Sequence, residues 1–173
     1  KIPSDLTVEE ILIKSGNIGS VRIGQMLEIK RLKSFLEKIG ILNKINFDIE
    51  EVGEPMPFRW GKCKLATVSF GHGITTTPLQ LAKGYAIISN GGFEISPTLI
   101  KNKLKINKKR ILKENVSKEI NLILRKIVKE GTAKLANVRG YEIGGKTGTA
   151  NKIINSKYSK KKINTFSSIF PIS

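Results

Sequence analysis

The residues of this chain best suited to chemistry lie in one short run, Lys146-Thr147-Gly148-Thr149. Lys146 supplies a compact positive charge on a flexible stem, and each threonine hydroxyl beside it can donate and accept a hydrogen bond. Gly144 and Gly145 come directly before the lysine, and glycine inside a strand often marks a place where a ligand or another backbone approaches. The run is therefore a candidate strand edge for binding an anionic, peptide-like substrate, although an ordinary Gly- and Thr-rich hairpin strand would have the same composition.

A second candidate group lies in the segment Ser15-Gly16-Asn17. The hydroxyl of Ser15 and the amide of Asn17 stand two residues apart between two predicted helices, so together they could relay a proton and orient an amide. Ser, Gly and Asn are also common turn residues. Taken alone, the segment is better explained as the end of one helix and the start of another.

Helices and loops must position these groups. Thr7 and Glu10 have the spacing of a capping box at the start of the first predicted helix, which ends just before Ser15. Apolar residues at i, i+3, i+4 and i+7 predict a second helix over 29–39, and Gly40 is suited to end it. Between these helices and the lysine-containing run lie further elements.

In the middle of the chain, the sequence predicts a long loop over 41–75. A helix is expected to follow, capped by Thr77 and with Pro78 at its first position. After it, an extended segment is expected over 93–113, with a basic turn at Asn107 to Arg110. Inside the helix that starts at Pro78, the residues expected to face inward are Leu79, Ala82, Tyr85 and Ala86.

The last predicted helix is capped by Ser117, and its expected apolar face consists of Ile120, Ile123, Leu124, Ile127 and Val128. Two strands are expected at about 140–152 and 162–171. Helices followed by strands, without strict alternation, are typical of an α+β fold.

In this order, the two candidate groups resemble the second and third signatures of the penicillin-recognising serine enzymes, which are S-x-x-K, then S-x-N, then K-T-G. Two further blocks, 69–82 and 128–133, resemble segments of class B penicillin-binding proteins. The resemblance covers most of residues 5 to 150 and is nearest to the division-type members. It implies the serine β-lactamase/transpeptidase-like α+β fold, with a helical subdomain and part of an antiparallel sheet.

The resemblance also implies two groups of site residues. The catalytic group passes a proton to the leaving amine, hydrogen-bonds the substrate amide and polarises the serine; it consists of Ser15, Asn17 and Lys146. The binding group holds the terminal carboxylate of the substrate; it consists of Thr147, Gly148 and Thr149. The backbone N–H of Thr149 is one expected donor to the oxyanion.

The activity implied is that of a serine-type peptidoglycan D,D-transpeptidase, in which a serine takes the acyl group from a stem peptide ending in D-Ala-D-Ala and an amine then accepts it. The expected partners are peptidoglycan stem peptides, β-lactams and membrane-embedded proteins of septal cell-wall synthesis. The expected location is the periplasmic side of the bacterial inner membrane, with an anchor that is not in this chain. A serine β-lactamase or a non-catalytic β-lactam sensor domain would share the same signatures.

The S-x-x-K signature is not found ahead of Ser15, where the resemblance would place it. The chain has one match, Ser159-Lys160-Lys161-Lys162, in a lysine-rich stretch where such a match arises easily by chance. Ser159 is therefore expected to be peripheral and exposed, and no nucleophile is assigned in this chain. We expect residues 1–173 to be a partial transpeptidase domain that lacks its N-terminal portion and its closing strand and helix, and to be inactive alone.

Composition limits the other possibilities. The formal net charge of +17 invites a nucleic-acid-binding function, but the basic residues are mostly scattered lysines without interleaved aromatic residues for base stacking, so no nucleic-acid partner is expected. The single cysteine, Cys63, cannot form an internal disulfide, and the single histidine, His72, fits a structural loop residue. No spacing of metal ligands or glycines indicates a metal or another cofactor.

Overall fold

The computed structural model describes residues 5–50, 52–101, 106–154 and 157–172. Its elements confirm the α+β class and are, in chain order, α1 (Val8–Ile13), α2 (Asn17–Lys38), α3 (Lys62–Val68), α4 (Pro78–Ser89), β1 (Phe93–Ile95), β2 (Ile106–Arg110), α5 (Glu114–Glu130), β3 (Gly144–Ile154) and β4 (Lys157–Ile169). A 3₁₀ turn, Lys134–Ala136, follows α5. β1 pairs with β2, and β3 with β4, both antiparallel.

Helix α5 carries the main hydrophobic core. Leu124, Ile127 and Val128 are buried at helical spacing, and the other two residues of the predicted apolar face pack against this cluster. Residues from α1, from the segment just before β3 and from β4 also contact the cluster; they include Leu12, Ile13, Ile143 and Ile169. Because apolar burial is the dominant favourable term in folding, α5 is the scaffold to which these elements are fixed.

The prediction that Ser117 caps α5 is wrong. The helix begins one turn earlier, after Lys113, and Ser117 lies inside it with 1% of its surface exposed. Its hydroxyl donates a hydrogen bond to the carbonyl of Ile88 in α4, which offsets the cost of burying a polar group. A serine just before an amphipathic run looks the same in the sequence whether it caps the helix or forms a hydrogen bond to another helix.

Helix α4 begins as predicted, with a capping box between Thr77 and Gln80 and with Pro78 at its first position. Its inward face differs from the prediction, since Ala82 is exposed and the buried residues are Gln80, Gly84 and Ile87. Gln80 is buried because its amide nitrogen donates to three backbone carbonyls of the segment after α2, those of Gly40, Ile41 and Asn43. Polarity alone could not identify it as a core residue.

The chain has more regular secondary structure on both sides of α4 than the sequence predicts. The helix expected at 29–39 is the second half of α2, which already starts at Asn17 and has a non-helical residue at Glu28. Gly40 ends this helix as predicted, with φ of +84°. The loop expected at 41–75 contains α3, and the basic turn expected at 107–110 is part of the strand β2.

The β3–β4 hairpin positions the lysine-containing run. In its register Lys146 lies opposite Ser167, and Thr147 lies opposite Phe166. A side chain at Gly145 would meet the ring of Phe166 at 2.7 Å, so this position requires glycine. Both strands extend beyond their predicted ends at the hairpin turn, and the register shifts between Asn151 and Ile153.

Candidate active site

The loop that holds Ser15 is fixed by the helix before it. The predicted capping box is present, since the Thr7 hydroxyl accepts from the Glu10 amide and the Glu10 carboxylate accepts from the Thr7 amide at 2.8 Å. After α1 ends, Ser15 adopts φ of +55°, a left-handed conformation that costs a non-glycine residue about 1–3 kcal/mol. The amide of Gly16 closes the turn by donating to the Ile11 carbonyl. The result is an exposed serine hydroxyl on a constrained turn.

Lys146 reaches this hydroxyl from β3. Its ammonium nitrogen lies 2.8 Å from the Ser15 Oγ and 2.9 Å from the Thr147 carbonyl oxygen, and it donates to both. Partial burial lowers the pKa of Lys146, because removal from water disfavours the charged form. The structure thus places the Lys146 ammonium group beside the serine that the resemblance implies it polarises.

Helix α5 holds the two sides of this contact in place. On one side, Lys126 forms an ion pair with Glu9 of α1. On the other, Arg125 donates to the Ile143 carbonyl at 3.0 Å and to the Glu142 carboxylate at 2.8 Å, just before β3. The separation between Ser15 and Lys146 is thus set by how α1 and β3 dock on one helix.

Gly131, at the end of α5, allows the end of α1, which leads into the turn at Ser15, to lie close to α5. A Cβ at this position would lie 2.8 Å from the carbonyl oxygens of both Ile127 and Ile13, so the chain passes between α5 and the end of α1 only because no side chain is present. The next residue, Thr132, places its hydroxyl 2.9 Å from that of Thr147.

Thr132 is the residue of this site that the sequence analysis did not assign. It lies within the block 128–133 that resembles the family, but its position next to Thr147 follows from how the end of α5 meets β3, which no local pattern reveals. A glycine followed by a hydroxyl residue after an amphipathic helix was the one available signal. Two side-chain pairs thus meet at neighbouring residues of β3, Ser15 with Lys146 and Thr132 with Thr147; we call these four residues the cluster.

The remaining candidate residues lie at the border of this cluster. Asn17 is the first residue of α2 and is exposed, one residue after the Gly16 cap. Gly148 and Thr149 are exposed on β3, opposite Thr165 and Asn164 of β4. Gly148 and Thr149 thus continue β3 beyond the Ser15–Lys146 contact, and Asn17 follows Ser15 by two residues, so all three are open to solvent next to that contact.

Helix α4 supports the strand pair under Lys146. Its residue Tyr85 lies close to Ser167, the residue opposite Lys146. Burial raises the pKa of the Tyr85 phenol, and the nearby Ser167 side chain opposes the rise. The Tyr85 hydroxyl is thus neutral near pH 7 and acts as a support.

Ser159 lies far from the cluster. It is on β4, eight positions before Ser167, which corresponds to about 26 Å along an extended strand. Its hydroxyl accepts from the amide of Lys161. The peripheral placement is as predicted, but the side chain is partly covered and not fully exposed.

In the part of the chain that the structure describes, no group of three or more His, Cys, Asp or Glu side chains has a metal-binding arrangement. No described helix is long and apolar enough to cross a membrane. His72 stacks between Phe70 and Tyr158, which fits the structural loop residue expected from the sequence.

Residues 1–173 match the family model of the penicillin binding protein transpeptidase domain. The chain is 33% identical over 167 residues to stage V sporulation protein D of Bacillus subtilis; the aligned part is 88% of this chain and 26% of that protein. It is 30% identical over 171 residues to the probable peptidoglycan D,D-transpeptidase PenA of Neisseria flavescens; here the aligned part is 96% of this chain and 43% of that protein.

The fold is similar to that of the transpeptidase domain of Burkholderia pseudomallei penicillin-binding protein 3, with a TM-score of 0.86 at 27% identity, over 96% of this chain and 53% of that one. The chain thus spans about a quarter to two-fifths of the length of the two curated relatives. On the match over its whole length, this chain belongs to the penicillin-binding protein transpeptidase domain family.

Proposed function

We propose that this chain supplies the S-x-N and K-T-G parts of a serine-type D,D-transpeptidase active site that cross-links peptidoglycan. The substrate is a stem peptide ending in D-Ala-D-Ala, and β-lactams are its reactive mimics. The observation that carries the proposal is the 2.8 Å contact between the Lys146 ammonium group and the Ser15 hydroxyl. This contact joins the exposed Ser15 side chain to a partly buried lysine that is 131 positions away in the chain.

The roles follow from chemistry and geometry. Acyl transfer through a serine needs a group that moves a proton to the leaving amine; Ser15 is positioned for this step, with Lys146 polarising its hydroxyl. The lowered pKa of Lys146 brings it nearer to the range in which proton transfer is efficient. The exposed amide of Asn17 hydrogen-bonds the substrate amide and the lysine of the S-x-x-K signature.

The binding side of the site uses β3. The hydroxyls of Thr147 and Thr149 hold the terminal carboxylate of the substrate beside the positive charge of Lys146, and the backbone N–H of Thr149 donates to the oxyanion. Gly148 leaves that part of the strand free of a side chain, so a peptide can lie against it. Thr132 adds a hydroxyl to the same group through its contact with Thr147.

The nucleophile belongs outside residues 1–173, and the chain is part of a larger transpeptidase domain. Ser159 is a poor candidate because it lies about 26 Å from the strand position opposite Lys146 and its hydroxyl is bonded to its own strand. The whole protein acts on the periplasmic face of the bacterial inner membrane, in septal wall synthesis, together with membrane-embedded partners.

A fluorescent penicillin tests this proposal. The whole protein that contains this chain is expected to form a covalent adduct, and residues 1–173 alone are expected to form none, because stable acylation needs a hydroxyl with an adjacent base. Intact mass spectrometry reads out both. An adduct on the isolated chain that disappears in Ser159→Ala or Ser15→Ala would overturn the assignment of roles.

A further inference from the structure

The half of the β3–β4 hairpin farthest from Ser15 carries a concentrated positive charge. From residue 143 to residue 172 the sequence contains no Asp or Glu, whereas four of its lysines, Lys152, Lys160, Lys161 and Lys162, are exposed on the strands. We call these four residues the lysine ribbon. None of the ion pairs found among the described residues includes a member of it.

Several other exposed lysines of the molecule lie next to acidic residues. Lys33 pairs with Glu37 in α2, and Lys118 pairs with Glu114 in α5. In the segment that joins α2 to α3, Lys44 pairs with Glu54. Surface charges of mixed sign largely screen one another, while a group of like charges builds a potential of several kT that attracts an anionic partner. The lysine ribbon is therefore a candidate surface for a polyanion.

The arrangement of the lysines restricts the shape of that partner. The register of the pairing shifts within this segment, since Tyr158 lies opposite Ile153 and Lys162 lies opposite Asn151. Three residues of β4, 159 to 161, therefore face the single residue Lys152, and a bulge of this kind bends and twists its strand. A flat lipid surface cannot follow a bent and twisted strand, whereas a flexible chain of anions can.

The aromatic residue beside the ribbon restricts the chemistry. Tyr158 is 56% exposed, but its ring is stacked against His72, with ring centroids 4.9 Å apart. Proteins that bind single-stranded nucleic acid offer aromatic rings on which bases stack, and here the ring is already engaged. The ribbon therefore suits an anionic polymer without bases.

We infer that the lysine ribbon binds a flexible linear polymer of phosphate or phosphodiester groups. This surface is separate from the Ser15–Lys146 cluster and does not depend on the function proposed above. Binding of this kind releases counterions and weakens as salt concentration rises. It would hold the protein against a phosphate-rich polymer while leaving the catalytic end of the same strands free.

Binding of inorganic polyphosphate to the whole protein, measured by fluorescence anisotropy at several salt concentrations, tests the inference. The triple variant Lys160→Gln, Lys161→Gln, Lys162→Gln is expected to bind at least tenfold more weakly. The slope of log affinity against log salt is expected to fall by about two, since each lost phosphate contact contributes roughly 0.7 for a flexible single-stranded polyanion.

The matched control removes the same charge elsewhere. Lys30, Arg31 and Lys38 are exposed on α2, near Glu28 and Glu37, and their triple change to Gln is expected to alter polyphosphate affinity by less than threefold. Far-ultraviolet circular dichroism and the rate of penicillin acylation should be unchanged in both triple variants, which separates this test from that of the active site.

Four results would overturn the inference: no measurable polyphosphate binding by the unaltered protein, an equal loss in the α2 control, equally tight binding of oligo(dT), or tight binding to phosphatidylglycerol vesicles without binding to polyphosphate. The first shows that the surface has no such partner, and the second that only net charge matters. The third and fourth identify a nucleic acid and a membrane, respectively, as the partner.

Discussion

The two ends of the β3–β4 hairpin use the same residue types in opposite ways. At the end near α5, Lys146 is partly buried and its ammonium group contacts Ser15 and the Thr147 carbonyl. At the other end, Lys160 and Lys162 extend into solvent without an ion-pair partner among the described residues. Both ends present lysines on the same pair of antiparallel strands.

What separates them is the surface that the rest of the fold places beside each end. Helix α5 brings α1 and the loop after Gly131 against the first residues of β3, and this packing lowers the pKa of Lys146 by burial. No comparable packing surrounds the exposed lysines. The comparison teaches that the chemistry of a lysine here depends on the elements docked around it more than on its neighbours in sequence.

The largest expected effect comes from removing the partly buried lysine. Lys146→Met should reduce the rate of acylation of the whole protein by a fluorescent penicillin by at least about 100-fold, since a positioned proton-transfer group contributes roughly 10²–10⁴. Lys129→Met, at an exposed lysine on α5, is the control and should stay within about twofold. A similar rate for both variants would remove the distinction between the two kinds of lysine.

A large structural effect is expected at Gly131. Gly131→Ala puts a methyl group 2.8 Å from two backbone carbonyl oxygens and should lower the free energy of unfolding by about 1–3 kcal/mol, as overpacking does. Gly84→Ala in α4 meets no atom within 4 Å and should raise it by about 0.5–1 kcal/mol. Urea unfolding of both variants measures the difference, and equal effects would show that Gly131 is not a close contact.

A smaller effect is expected from Thr132. Thr132→Val keeps the shape but removes the hydroxyl that contacts Thr147, and a hydrogen bond contributes about 0.5–1.5 kcal/mol. The KM for a D-Ala-D-Ala peptide should therefore rise roughly 2–12-fold with little change in kcat, whereas Thr132→Ser should keep the KM of the unaltered protein. An equal defect in Thr132→Ser would indicate that packing matters here and not the hydroxyl.

The smallest expected effect is a pH dependence of stability. Because burial lowers the pKa of Lys146 in the folded protein, the unfolded chain binds more protons between that pKa and the ordinary value of about 10.4. Stability then rises with pH across this window. The free energy of unfolding of the unaltered protein should thus increase relative to Lys146→Met between pH 7 and 10. Urea titrations at each pH measure the difference, and a decrease would show that the ammonium form is the better stabilised one.

The sequence predicted those parts of the fold that local physics decides. Thr7 with Glu10 and Thr77 with Pro78 have geometries set within one helical turn, and the structure has both. The apolar face of α5 follows from helical periodicity alone. Where burial depends on a distant partner, prediction failed: Ser117 and Gln80 are polar residues in the core because carbonyls of other segments accept their hydrogen bonds.

The candidate site divides in the same way. Ser15 and Lys146 could be matched to one cleft because their motifs resemble a known pair, and the structure brings them into contact. Thr132 could not be assigned, because its contact with Thr147 depends on how β3 packs against α5. The roles of Asn17, Gly148 and Thr149 stay predictions that await a bound substrate.

The contact between Ser15 and Lys146 joins residues 131 positions apart, which has a consequence for the order of assembly. Closing a flexible loop of that length costs about 4 kcal/mol, more than the roughly 0.5–1.5 kcal/mol that one hydrogen bond contributes. The contact therefore cannot draw the two segments together; the core around α5 must already have formed. The serine and the lysine therefore pair late in folding, after the core has formed. A loosened α5 core would break their contact, and with it the site, before the chain unfolds.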